Sequence, residues 1–203
     1  MGDEFKVEKS YTKKEEAMKL VKKTMIAIAV SSVFTASAYA GDLSYNYANL
    51  NYLSNSASGL SGSGFGVDAS FDIANNVNLF AGYDAPSFSG TSVTEFKVGV
   101  GFHQSMSPNG DWYAKFDYRN FKNIFAVTFN GYAISGGARA ALSDKFEMDG
   151  YFGYADYEGY NGLIFGIDGT YKITDSVGIT AGYMSNDDAV GWTGFKVGAR
   201  MYF

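Results

Sequence analysis

The chain has 203 residues, of which 17% are aromatic and 18% charged, with 25 Gly, 2 Pro, no Cys and one His. Having no Cys excludes a disulfide scaffold and a thiolate metal site, and so few Pro exclude a low-complexity linker. A net charge of −5 is the wrong sign for a nucleic-acid partner, which needs clustered Lys and Arg to displace counterions from phosphates. Many aromatic and Gly residues at this length point to an all-β chain with a single core or a single barrel.

In chain order, residues 1–17 (MGDEFKVEKSYTKKEEA) are charged, lack an apolar face and precede a natural-looking start at Met18. They are expected to be a non-native extension or a mis-assigned start. Residues 18–40 have the parts of a secretory signal peptide: a basic end (Lys19, Lys22, Lys23), an apolar middle (Met25 to Phe34) and the small-x-small site Ala38-Tyr39-Ala40. Ser31, Ser32, Thr35 and Ser37 break the run short of the ~20 apolar residues that a spanning helix needs. Residues 41–203 then carry 9 basic and 16 acidic side chains, net −7. No later run is long enough to span as a helix, so a membrane form must be a closed barrel.

From Asp42 onward the pattern predicts ten strands with period-two alternation: 43–53, 62–73, 77–85, 94–104, 112–121, 131–142, 146–156, 162–173, 177–185 and 191–203. The first slips phase around Tyr47-Ala48, which predicts a bulge. Short connectors (Ala74 to Asn76, Ser143 to Lys145, Thr174 to Ser176) alternate with longer ones near 54–61, 86–93, 122–130, 157–161 and 186–190. That alternation marks a meander of antiparallel hairpins.

The last strand shows the two faces most clearly. Thr193, Phe195, Val197, Ala199, Met201 and Phe203 lie on one side, and Trp192, Gly194, Lys196, Gly198, Arg200 and Tyr202 on the other. Alternation alone does not say which face is inside. The polar face, however, carries Gly66, Gly82, Gly99, Gly101, Gly137, Gly153, Gly166, Gly178, Gly182, Gly194 and Gly198. So much Gly suits a narrow lumen that must leave room for long polar side chains. On the apolar face, aromatic residues fall at the strand ends: Phe71, Phe102, Trp112, Phe146, Tyr171 and Phe203 at one end, and Tyr83, Phe96, Tyr118, Tyr132, Tyr154 and Tyr183 at the other. Between them lie Val67, Ala69, Val98, Val100, Ala138, Ala140, Ile167, Ile179, Ala181, Val197 and Ala199. Two aromatic girdles around an aliphatic band predict an antiparallel up-and-down transmembrane β-barrel, greasy side outward.

The C-terminal Lys196-Val197-Gly198-Ala199-Arg200-Met201-Tyr202-Phe203 resembles the terminal signal of Gram-negative outer-membrane barrels. Residues 41–203 resemble the small outer-membrane β-barrel, porin-like family. The opening Leu43-Ser44-Tyr45-Asn46-Tyr47 and the closing heptad match its ten-strand subgroup, and eight-strand relatives of the OmpX and Ail type are the alternative. The extra hairpin departs from those eight-strand relatives. By this resemblance Lys196, Gly198, Met201 and Phe203 carry recognition by the barrel-assembly machinery, for which strand addition gives a physical basis. The other partners implied are outer-membrane lipid and lipopolysaccharide, the location is the bacterial outer membrane, and the chain is expected to be a monomer.

One His and no Cys leave little for catalysis or metal binding, and no cofactor is expected. His103 falls on the lumen side near the Ser105 to Asp111 turn, where a hydrogen-bonding role is expected rather than that of a base. The lumen is predicted to hold Asp68, Asp72, Glu95, Asp117, Glu147, Asp149 and Asp168 against Lys97, Lys115, Arg119, Arg139, Lys172, Lys196 and Arg200. In so narrow a barrel these pair across the interior as a plug in preference to lining a conduit. Acidic loop residues Asp156, Glu158, Asp187 and Asp188 are read as solvated charges ahead of a site for cations bridging lipopolysaccharide phosphates. The run Phe121 to Phe129 (FKNIFAVTF) is apolar where water is expected. It is left open whether it prolongs two strands, folds into the lumen mouth or forms a contact surface. The functional expectation is a non-enzymatic barrel, structural or weakly pore-forming. The alternatives are a surface adhesin acting through its loops and, last, a lipid-modifying enzyme.

Overall fold

A computed structural model describes residues 43–57, 59–187 and 191–203. The expected extension (1–17), the expected signal peptide (18–40) and Asp188 lie outside the described residues. Ten strands form the wall: β1 Tyr47–Ala57, β2 Leu60–Ala74, β3 Val77–Phe88, β4 Thr94–Ser107, β5 Gly110–Lys122, β6 Thr128–Ser143, β7 Phe146–Tyr157, β8 Tyr160–Lys172, β9 Val177–Asp187 and β10 Trp192–Tyr202. A two-residue strand, Thr91–Ser92, lengthens the hairpin after β3. Each strand pairs antiparallel with its neighbours in sequence, and β1 pairs with β10 from Tyr47↔Tyr202 to Ala57↔Trp192. The sheet therefore closes and has no free edge, the condition for a strand structure to cross a bilayer.

Every strand turns at least one large apolar side chain outward: Leu50, Phe65, Leu79, Val98, Phe116, Ile134, Phe152, Leu163, Ile179 and Val197 are all exposed. Phe65 and Phe195 are about two-thirds exposed, at 65% and 66%, which is untenable in water for a belt this continuous and natural in hydrocarbon. The alternation thus resolves as greasy side out. Ala138 and Ala140 also face outward but are buried, because they lie across the ladders from Trp112 and Met148, whose bulk overshadows a methyl group.

Two expectations are corrected. The first strand begins at Tyr47, not at residue 43, and its ladders to β2 and β10 run without a register shift. The apparent phase slip marks the strand's beginning, not a bulge. Before it, the Asn46 amide N–H donates to Ser44 Oγ (3.2 Å) and Asn46 Oδ1 accepts the Asp72 amide N–H (2.8 Å), so local side-chain bonds replace the ladder. Register shifts occur instead at Asp72/Ala74, Ser105/Ser107 and Ala141/Ser143, beside the turns at the rim where β1 begins and β10 ends. The second correction concerns the longer connectors. Ser54–Ala57 pair with Leu60–Ser63, and Tyr157 pairs with Tyr160, so only two residues separate the paired strands in each hairpin. Ser, Asn and Gly there satisfy their backbone groups in the ladder as readily as in water.

Candidate functional site

The rim where β1 begins and β10 ends is the inner rim and the opposite one the outer rim, in keeping with the short turns that face the periplasm in barrels of this kind. Inward-facing positions of all ten strands supply the site. At the inner rim Glu147, almost fully buried, is the hub. Arg139 Nη2 meets its Oε2 at 2.5 Å, Lys172 Nζ its Oε1 at 2.7 Å, and the Tyr202 hydroxyl donates to Oε2 at 3.2 Å. Arg200 Nη1 stands 3.9 Å away, donates through Nε to Asn49 Oδ1 (2.9 Å) and lies 4.1 Å from the Tyr47 ring centre. Arg139 also donates to the Ser44 carbonyl at 2.7 Å, which ties the segment preceding β1 across the opening. One carboxylate thus holds three cations, and tyrosine faces take up part of the remaining positive charge.

Beside this hub Tyr45 turns inward and stacks on His103, centroids 3.8 Å apart at 15°. His103 Nε2 is 3.2 Å from Asp72 Oδ1 and Nδ1 is 4.0 Å from Asp111 Oδ2. Ser105 donates its hydroxyl to Asp111 at 2.8 Å. The hydroxyl is therefore bound to the carboxylate and not to the imidazole, the reverse of the order that activates a nucleophile. Among the described residues no group of three or more His, Asp or Glu is placed to hold a metal ion.

Further along the lumen, Asp68 accepts from Asn49 (2.6 Å) and Asn51 (3.0 Å). Lys196 pairs with Asp168 at 2.9 Å, and Tyr113 donates to Asp149 at 2.8 Å. Lys115 sits 4.4 Å from the Tyr113 ring centre and 5.4 Å from that of Phe80. Glycine makes this crowding possible. A Cβ on Gly137 would meet the Tyr113 ring and the Gly150 carbonyl, and one on Gly166 would meet the Tyr151 ring. Toward the outer rim Arg119 bridges Asp117 (2.5 Å) and Glu95 (3.3 Å), the Tyr157 hydroxyl donates to Glu95 (2.5 Å), and Lys97 reaches Asp84 at 3.7 Å. The open space left among these groups is about 130 Å³.

Above Tyr157 the chemistry changes. Phe88, Val93, Phe121, Ala133, Ala155, Tyr157 and Ile164 form a buried apolar cluster inside the barrel, with Ala57, Ile124 and Phe129 packed on it. Of these, Ala57, Phe88, Val93, Phe121, Ile124, Phe129 and Tyr157 wall a cavity of about 330 Å³ that Leu60, Asn123, Phe125, Tyr160 and Trp192 also line. Of the run Phe121 to Phe129, Phe121 and Phe129 prolong two strands while Ile124 folds into the mouth.

All the lumen charges expected from the sequence face inward, joined in the groups above. Lys196 and Gly198 face the lumen, whereas Met201 and Phe203 are exposed on the outside. Sequence reasoning missed Tyr45, Asp84 and Asp111. Asp84 lies within the expected third strand, at an even position beside Gly82, so following that strand's alternation one step further would have found it. Asp156 and Glu158 are exposed at the outer rim, where Asp156 Oδ1 accepts the Gly159 amide N–H and Glu158 accepts from Asn130.

No family model and no curated protein matches the chain. Among solved structures, an outer membrane channel from Pseudomonas putida F1 is similar over 82% of this chain and 99% of its own, with a TM-score of 0.52 and 6% identity. KdgM porin (TM-score 0.45, 14% identity, 76% of this chain and 99% of that one) and NanC porin (0.45, 9%, 76% and 100%) are further matches. At these identities the likeness concerns the fold alone: a closed, antiparallel, ten-stranded transmembrane barrel.

Proposed function

We propose that the chain is a structural outer-membrane barrel, at most weakly pore-forming, whose lumen is held shut by its own ion pairs. The observation that carries this reading is the Glu147 hub, where side chains from β6, β7, β8 and β10 converge on one carboxylate while Arg139 also anchors Ser44. A solute would have to break that hub and then the Glu95, Arg119 and Asp117 group above it. Breaking either exposes a buried charge without a partner. The test is single-channel recording in planar bilayers: conductance is expected to be small or absent, and a large, stable open level refutes the plug.

The same reading assigns assembly to the C-terminal strand. Phe203 and Met201 present apolar side chains on the outer surface, and the Phe203 amide N–H donates to the Asn46 carbonyl at 3.3 Å where the sheet closes. The barrel-assembly machinery would engage this strand before β1 does. Lipid, with lipopolysaccharide in the outer leaflet, contacts the remaining belt. An apolar face on every strand leaves no sector reserved for a second copy, which supports a monomer. The adhesin alternative is less well supported, since among the described residues the outer connections at 89–93, 123–127 and 158–159 are short and not long loops.

A further inference from the structure

We infer that the apolar cup at the outer rim is a binding site for an uncharged, apolar small molecule of about a dozen heavy atoms, such as a medium-chain alcohol. The inference does not depend on whether the lumen beneath conducts. Four observations carry it.

The first is the site's place. In a membrane barrel the inner face is the polar one, and below Tyr157 this barrel obeys that rule. Above Tyr157 the inner face becomes aromatic and aliphatic, so the apolar residues at that level do not face lipid, and of them only Tyr157 bonds to the ion pairs below. The second is size. About 330 Å³ is the volume of roughly eleven liquid waters, at the lower end of small-molecule sites and too small for a helix or a paired peptide segment.

The third is the floor. The Tyr157 hydroxyl both donates to Glu95 and accepts from Arg119 Nη1 (3.4 Å), and Glu95 and Arg119 already hold each other. Among the described residues no charge at this floor is left over to receive an ionic headgroup, so a charged ligand would be buried there without a partner. The fourth is the lip. Asn123 Oδ1 accepts the amide N–H groups of Phe125 (2.9 Å) and Val127 (3.0 Å), and the Ala126 N–H donates to the Asn123 carbonyl (3.0 Å). These bonds hold Ala126 at φ 59°, a left-handed conformation that a non-glycine residue rarely adopts. The turn so fixed puts Ile124 into the cup and leaves Phe125 at the lip, 78% exposed. Edge contacts of Phe121 with Tyr157 (6.1 Å) and Phe129 with Tyr160 (5.4 Å) stiffen the walls.

The chain's two tryptophans provide the test, since Trp192 lines the cup and Trp112 faces lipid. The protein is placed in lipid nanodiscs as Trp112→Phe, leaving Trp192 as reporter, and as Trp192→Phe, leaving Trp112, and each is titrated with 10-bromodecan-1-ol, whose bromine quenches on contact. Quenching of Trp192 is expected to saturate, to be reversed by decan-1-ol, and to need at least tenfold more decanoate for the same reversal. Quenching of Trp112 should follow bilayer partitioning without saturation. Ile124→Glu and the cavity-filling Ala57→Phe, each checked for folding by heat-modifiable gel migration, should each weaken the saturable phase at least tenfold. Trp192 quenching that tracks Trp112, or a saturable phase that neither folded variant changes, overturns the assignment.

Discussion

Replacing Glu147 by Gln tests the plug most directly, because the side chain keeps its shape and loses only its charge. Glu147 is 2% exposed and faces Arg139 at 2.5 Å, Lys172 at 2.7 Å and Arg200 at 3.9 Å. With its carboxylate gone, three cations share a site with no counter-charge from that position. Unit charges about 4 Å apart at an effective dielectric near 20 interact by about 4 kcal/mol, and removing one partner of a buried pair costs about 3–5 kcal/mol. A destabilisation of about 3–5 kcal/mol is therefore expected for Glu147→Gln, read from urea unfolding in phospholipid vesicles by gel migration and tryptophan emission. The double variant Arg139→Met with Glu147→Met should recover at least half of it, because the largest uncompensated charge leaves with the carboxylate. The single variant should also raise bilayer conductance above that of the wild type. A stability loss under about 1 kcal/mol, or a double variant no better than the single, would show that the hub is hydrated and does not close the lumen.

Val67 lies between Phe65 and Phe71 on the outer face of β2, so Val67→Arg should cost about 2–4 kcal/mol, whereas Ile73→Arg, past Phe71 near the turn, should cost about 1 kcal/mol or less. Equal costs in vesicle unfolding would contradict the placement of the hydrocarbon belt. Gly137→Val drives a side chain into the Tyr113 ring and the Gly150 carbonyl and should lose about 1–3 kcal/mol. Gly136→Val, which faces outward with only the Tyr113 carbonyl at 3.6 Å, should be neutral or stabilising in the same assay. Phe203→Ala should slow insertion in cells, read as the fraction of heat-modifiable protein in the outer membrane over time, while the purified variant refolds in detergent to the wild-type form; an unchanged rate in cells would remove Phe203 from the assembly signal.

Most of the wall could be read from the sequence because one face of each strand must satisfy lipid, and that constraint repeats every second residue. Phe96, Val98, Val100 and Phe102 state it without interruption, as do Val177, Ile179, Ala181 and Tyr183. The strand ends were harder, since Ser54, Asn55, Ser56, Ser61 and Gly62 are turn-forming by composition, and only pairing across the β1–β2 ladder shows that they continue it. For the same reason the alternation did not place Tyr45, which lies before β1 and enters the lumen through its stacking on His103. The lumen charges could be assigned by parity. Their partners could not, because Arg139 finds Glu147 across a hairpin while Asp68 finds Asn49 and Asn51 on the neighbouring strand, a choice set by side-chain reach in three dimensions.

The apolar run Phe121 to Phe129 conflicts with the polar-inside rule, and the conflict disappears once the barrel is seen as two storeys of different chemistry. Paired charges attract most strongly where water is excluded, and water that enters screens and weakens them. Glu95 and Arg119 form the last tier before the outer rim, yet their side chains are only 5% and 12% exposed. What shields them is the apolar storey: Tyr157, itself buried, bonds Glu95 from above while its ring meets Phe121 edge-on. A polar mouth would let water reach this tier and weaken every pair in it. The hydrophobic cup and the charged plug are therefore interdependent, and Tyr157 is the residue through which each supports the other, its ring belonging to the cup and its hydroxyl to the plug.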